Sequence, residues 1–140
     1  MDDVDVLAEQ LRINAGRLAR TSSSTLPPGE SAVLATLEGA GPKTIAQLAE
    51  DRGVRHQTAA KIVAQLEAAG LVAKRNHPDD ARMVLVRVTR SGATALRRDR
   101  KAQAAWLAGA IRTQLNVKQQ ARMGDVVTIL GALAAYDPDA

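Results

Sequence analysis

Apolar residues recur along this chain with two periods, one near 3.6 and one near 2, and the places where the period changes mark its elements. Val4, Leu7, Leu11 and Leu18 fall at helical spacings, with Asn14 in the remaining slot, and predict a helix over residues 3–20. TSSSTLPPG at 21–29 has the composition of a linker. Pro28 suits a first helical position, so a second helix begins near it, carries Val33, Leu34 and Leu37 inward, and ends at Gly39 and Gly41-Pro42. Thr44 and Gln47 have the spacing of a capping box, which starts a short third helix with Ile45, Leu48 and Ala49 on its inner face and Gly53 at its end. A fourth helix follows almost at once, from Arg55 to Ala69, and stops at Gly70.

Two short helices around a glycine-containing turn form a helix-turn-helix pattern. The period then shortens. Leu71–Arg75 and Met83–Val88 read as strands, the second rich in valine, and the polar NHPDDAR between them makes the pair a hairpin. Thr89 can cap a long helix over Arg90–Leu115, and a last helix over Val117–Ala135 carries Met123, Val126, Val127, Leu130 and Leu133 as a stripe. The expected fold is therefore mainly α with a small antiparallel β-hairpin. It is a winged helix-turn-helix at 28–89 within a single domain of 1–140, flanked by helices at 3–20 and 100–135. Those flanking helices have more apolar surface than a small winged helix can cover, which predicts a homodimer.

Composition narrows the function. The 140 residues contain no cysteine and no phenylalanine, and only Trp106 and Tyr136 are aromatic. Thiolate metal sites, disulfides and thiol redox sensing are excluded, and the shortage of rings argues against an RNA-stacking platform. No run of 18 apolar residues occurs, so no membrane partner is expected. The start, MDDVDVLAEQLR, lacks the basic and apolar regions of a secretion signal, and a cytoplasmic location is expected. No nucleophile elbow, phosphate-binding glycine loop or His-Glu-x-x-His is present, so neither an enzyme nor a cofactor is expected. His56 and His77 without cysteine make no zinc site.

The charge is unevenly placed. Nineteen basic and fifteen acidic residues give a net +4, yet Lys74 to Lys101 holds nine basic residues against Asp79, Asp80 and Asp99. That stretch carries +6 and the remainder −2. Concentrated positive charge is what phosphate binding requires, although the run Arg97 to Lys101 fits a solvated helix face equally well. On the fourth helix Ala59, Ile62, Val63 and Leu66 share one side. Gln57, Ala60, Lys61 and Ala64 lie opposite, flanked by Thr58 and Gln65. A small, polar outer face can approach bases closely, with Gln57 suited to adenine and Lys61 to guanine or a phosphate. His56 beside this face is a candidate for a phosphate or base-edge contact or an ordinary surface residue, and the charges of Lys74 and Arg75 add them to the candidate DNA contacts. In the hairpin turn Arg82 suits a minor groove, whose negative potential attracts arginine. Asp80 is placed to hold its guanidinium through a bidentate contact. Thr44 is read as a cap, and Thr25 has no assigned role.

The stretch Thr44–Gly92 resembles the multiple-antibiotic-resistance regulator (MarR) family. LAEDRGV at 48–54, LEAAGLV at 66–72 and PDDARMVLVRVTRSG at 78–92 carry the likeness, with Asp80, Arg82, Thr89 and Gly92 at the wing's pattern positions. Arg55, Ala60 and Ala81 depart from the family, standing where a serine or threonine cap, a hydroxyl and a second wing arginine are frequent. The resemblance implies a homodimeric DNA-binding regulator, most often a repressor, that binds double-stranded DNA at a pseudo-palindromic operator. It also implies a small-molecule effector at the junction of the terminal helices and the winged region. With so few rings, that pocket is expected to be lined by Leu, Val, Ile and Met and to take a small apolar or aromatic effector. Trp106 is expected either there or as a core or dimer-packing residue.

Overall fold

The computed structural model describes residues 2–22 and 24–140. The order is α1 (Asp3–Thr21), α2 (Pro28–Ala40), α3 (Ile45–Arg52), α4 (His56–Ala68), β1 (Val72–Asn76), β2 (Val84–Val88), α5 (Arg90–Gln114) and α6 (Val117–Ala134). The chain packs as two units, residues 1–103 and 104–140.

In the first unit the helix ends follow the local chemistry closely. Thr44 Oγ1 accepts the Gln47 N–H at 3.1 Å while Gln47 Oε1 accepts the Thr44 N–H at 2.9 Å, the reciprocal box that the sequence implies. Gly53 closes α3 in the left-handed region, at φ 64°. α4 closes the same way. Gly70 has φ 75°, its N–H donates to Glu67 O at 2.9 Å, and the Leu71 N–H donates to Leu66 O at 2.9 Å. Leu71 therefore belongs to the end of the helix, so β1 starts one residue later than the valine and leucine pattern suggests.

β1 and β2 pair antiparallel, with Val72 opposite Val88 and Asn76 opposite Val84. Met83 stays outside the ladder because its N–H donates to Asp80 O at 3.0 Å within the turn. A single bridge adds Lys43 to the sheet: its N–H donates to Val86 O at 3.0 Å, and the Val86 N–H donates to Lys43 O at 2.7 Å. The segment before α3 is thereby fixed on the hairpin, and a Lys43–Asp51 ion pair spans α3 to the same point.

The core of this unit is Val33, Leu34, Leu37, Leu48, Val63, Leu66, Val72, Val86 and Leu96. It draws on α2, α3, α4, both strands and the start of α5. Thr89 joins them. Its hydroxyl donates to Gly70 O at 2.7 Å and accepts the Gly92 N–H at 3.0 Å, so one side chain ties the end of α4 to the first turn of α5. Gly92 has to be glycine there, because a Cβ would overlap the Leu71 carbonyl oxygen and stand 2.8 Å from Val88 Cγ2.

α1 begins with a capping box between Asp2 and Asp5 and contains no buried residue. In the second unit, Asn116 and Gln119 form another capping box at the start of α6, which likewise has no buried residue. Trp106 is half-buried in this unit. Among the described residues no helix is long and apolar enough to cross a membrane.

Candidate nucleic-acid interface

α4 separates into two faces as its periodicity requires. Ala59, Val63 and Leu66 are fully buried, with Ile62 partly buried beside them. His56, Gln57, Thr58, Lys61, Ala64 and Gln65 are exposed. Ala60 is half-buried, so it lies at the edge of the outer face instead of within it. The inner face is held by packing against α2 and α3, which leaves the outer side chains free to meet a ligand on a rigid support. Arg55, at the cap position, makes no side-chain capping bond, in keeping with its departure from the family pattern.

The wing turn is built from its own backbone. The His77 N–H donates to Met83 O at 2.8 Å, and the Asp79 N–H donates to His77 Nδ1 at 3.1 Å. Asp80 Oδ1 accepts the Arg82 backbone N–H at 3.0 Å, which sets the direction in which Arg82 leaves the turn. The guanidinium itself is not clamped. Its Nε stands 3.9 Å from Asp80 Oδ1, and the side chain is 97% exposed. The bidentate contact expected from the sequence is absent: the guanidinium approaches only Oδ1, the oxygen that also accepts the Arg82 backbone N–H. Arg82 is therefore fixed at its backbone, with its side chain exposed to solvent.

Two of the candidate residues meet. His56 at the start of α4 and Arg82 of the wing line one open groove of 410 Å³, together with Thr44, Ile45, Ala46, Met83 and Val84. The other candidates spread outward. Gln65 lies nine residues along α4 from His56, about 13 Å at 1.5 Å per residue. Lys74 leaves its strand toward Glu67 of α4, with Nζ 3.6 Å from Oε1, so part of its charge is already answered. Arg75 is exposed on β1.

The basic run on α5 is not one uniform face. Arg100 pairs with Glu38 at 2.9 Å, and Arg97 donates to Thr94 Oγ1 at 3.1 Å. Arg90 and Arg98, with Ser91 and Thr94, line a groove of their own. Asp99, which the charge count treats as opposing these arginines, points inward and is buried.

Sequence reasoning missed Asp99 and with it Thr25. Asp99 Oδ1 accepts the Ser24 hydroxyl at 2.6 Å and the N–H groups of Thr25 and Leu26 at 2.7 and 3.2 Å. The Thr25 hydroxyl reaches the same oxygen at 3.2 Å. Oδ2 accepts the Ser31 hydroxyl and the Gln103 amide, each at 3.0 Å. Burial alone would push this carboxyl up, but the combined donors of Ser24, Thr25, Ser31 and Leu26 outweigh it and hold the group below its ordinary value. The linker's richness in hydroxyls was the only available signal.

Beside Asp99 lies a cavity of 530 Å³. α1 contributes Ala19 and Arg20, α2 contributes Ser31, Ala32 and Ala35, and Gln103 of α5 closes one side. The expected lining of Leu, Val, Ile and Met is incorrect for this cavity. The large aliphatic residues of α2 turn into the core, which leaves its small residues, hydroxyls and one guanidinium for the cavity.

With this geometry in place, comparison with known proteins gives a consistent result. The family model described as MarR family matches residues 24–83. An uncharacterized HTH-type transcriptional regulator of Mycobacterium bovis is 31% identical over 137 residues, covering 94% of this chain and 95% of that protein. A putative transcriptional regulator from Pseudomonas aeruginosa has the same fold, with a TM-score of 0.80 at 23% identity over 98% of this chain and 100% of that one. The PcaV transcriptional regulator from Streptomyces coelicolor, solved in complex with its natural ligand, gives a TM-score of 0.57 at 26% identity over 91% of each chain.

Proposed function

This chain belongs to the MarR family of transcriptional regulators, and on that premise we propose that it is a homodimeric, cytoplasmic repressor released from its operator by a small molecule. The observation that carries the DNA-binding reading is an exposed polar face on α4 together with an exposed wing arginine, which shares one groove with His56 at the start of that helix. α4 enters the major groove, where Gln57, Thr58, Lys61 and Gln65 meet base edges or phosphates. Arg82 enters the adjacent minor groove, oriented by Asp80. His56, Lys74 and Arg75 contact the backbone on either side and fix the register.

The dimer is supported by the exposed apolar residues of the terminal helices. Leu7 and Leu11 of α1, and Val127, Leu130 and Leu133 of α6, are all exposed in the single chain. A two-fold dimer presents two copies of α4, so the operator is an imperfect palindrome with half-site centres roughly 10 bp apart.

Release is supported by the cavity beside Asp99, which falls within the size range of small-molecule sites. Arg20 on its wall favours an effector with an acidic group on a compact body. A solved relative bound to its natural ligand gives the reading a precedent. DNA selection with the purified protein, followed by a salt titration on the selected site, tests the proposal. With about four phosphates neutralised per protomer, the log–log slope approaches roughly −7. A slope near zero, or enrichment of one short asymmetric site, overturns it.

A further inference from the structure

Asp99 stands at the meeting of three segments. Ser24, Thr25 and Leu26 reach it from the linker, Ser31 from the first turns of α2, and Gln103 from the next turn of its own helix. Leu26 also packs against the core cluster, so the linker is fixed both by these bonds and by an apolar contact. Three of the five residues have a second position in the structure: Ser24, Ser31 and Gln103 line the cavity that Arg20 also faces.

We infer that Asp99 is a latch, and that the cavity is its release, because the groups an occupant would engage are the groups that hold the linker and α2 on α5. The inference rests on the ligand-release reading above only for what the latch serves.

The physical argument concerns the two oxygens separately. Oδ1 is held by the linker, including Ser24, which also lines the cavity, and Oδ2 is held only by the cavity-lining donors Ser31 and Gln103. Each of those donors has a limited number of protons to give, and a serine hydroxyl has one. An occupant that accepts them takes them from Oδ2. A buried carboxylate with an unsatisfied oxygen is unfavourable, and it moves toward water or another donor. Any such movement weakens its bonds to the Thr25 and Leu26 N–H groups. An acidic occupant adds like-charge repulsion at the same place, since every group bonded to Asp99 is neutral and none offsets its charge. The low proton affinity of Asp99 agrees with a carboxylate that is charged in the latched state.

The test uses the full-length protein and amide hydrogen exchange at Thr25 and Leu26, whose N–H groups bond to Asp99. The variant Ser31→Ala/Gln103→Leu strips Oδ2 of both donors, as an occupant would. The expected result is exchange faster by about tenfold or more at Thr25 and Leu26, with core amides such as Val63 and Val86 unchanged. Asp99→Asn speeds exchange at the same two amides by a larger factor than at Val63 and Val86, whose rates follow only the loss of global stability. Arg20→Gln, which alters the cavity wall without touching Asp99, leaves exchange at Thr25 and Leu26 unchanged. If the double variant does not fold, Ser31→Ala alone is expected to raise exchange at the same two amides by a smaller factor. Unchanged exchange in the Oδ2-stripped protein overturns the latch, as does wild-type protection in Asp99→Asn. No DNA or effector enters the measurement. A wild-type protein that fails to bind operator would therefore remove the regulator reading while leaving this result to stand or fall separately.

Discussion

The winged region and the terminal helices use the same kinds of residue in opposite ways. From α2 to the start of α5, leucine and valine are buried within the chain, with Val33, Leu34, Leu48, Val63, Leu66 and Val86 fully shielded. α1 and α6 carry stripes of similar composition and bury none of them. α5 passes from one condition to the other: its buried residues are Gly92, Leu96 and Asp99, and nothing beyond Asp99 is buried. The winged region is thus specified by contacts inside one chain, whereas the terminal helices carry apolar surface whose cover must come from elsewhere. On the proposed dimer, the winged region would keep its geometry fixed while the interface of the terminal helices sets the spacing of its two copies.

The most forceful way to break this comparison is to replace one leucine in each region. Leu34→Ala in the core should cost about 2–5 kcal/mol, the range for a buried leucine whose site cannot fully collapse. Leu130→Glu should leave the winged region folded and shift the protein toward monomer, because a charge then faces a surface that must be desolvated on association. Thermal melts at several protein concentrations, with sedimentation, separate the two outcomes. If Leu130→Glu stays dimeric at micromolar concentration, α6 is not part of the interface.

Asp99 sharpens the comparison, since it marks the point on α5 where burial ends. Its carboxyl is held below its ordinary value, so the sign follows directly. The stability it contributes is complete above the ordinary carboxylate range and is lost as pH falls through the lowered folded value. Asp99→Asn should cost about 1–3 kcal/mol at neutral pH, because an amide cannot accept from all the donors pointed at it. The difference from wild type should shrink in strong acid. Its bonded partners are all neutral and Arg20 lines the adjoining cavity, so no second carboxylate among those partners confuses the curve. A constant difference across the acid range would show that the charge on Asp99 is irrelevant to its role.

Arg82→Ala probes function without disturbing either region. The side chain is almost fully exposed and its ion pair is long, so stability should not change measurably. DNA affinity should fall about tenfold, with relaxed preference where the wing meets the groove. A variant that unfolds, or that binds as tightly as wild type, removes Arg82 from the interface.

These regions also differ in how far they could be read from sequence. Periodicity placed the inner face of α4, and the Thr44–Gln47 spacing placed the start of α3, because both depend on neighbours within one or two turns. The MVLVRV run marked the hairpin, yet both strands begin one residue late because Leu71 and Met83 give their N–H groups to a helix end and a turn. Such competition between local motifs leaves no trace in hydrophobicity. Asp99 was illegible for a different reason. It sits among arginines, where a carboxylate reads as a solvent-facing counter-charge, and its linker and α2 partners lie 68 to 75 residues away. Lys43 joined the sheet through a single bridge, too short to generate any pattern.

The smallest expected effect compares the two helices of the helix-turn-helix itself. α3 starts with a complete capping box, and α4 starts at Arg55 with no side-chain cap at all. The first N–H groups of α4 therefore receive no side-chain acceptor from the cap position, and a cationic side chain stands at the positive end of the helix dipole. Arg55→Ser supplies an acceptor and removes the unfavourable charge, so it should raise stability by about 0.5–1 kcal/mol. The same change deletes a positive charge at the start of the helix proposed to read DNA, so operator affinity should fall while the melting temperature rises. Opposite movement of the two quantities is the useful result. It would mean that the cap position of α4 is held by a residue suited to the ligand instead of the fold. If Arg55→Ser raises both stability and affinity, Arg55 contributes to neither, and the start of α4 is simply unoptimised.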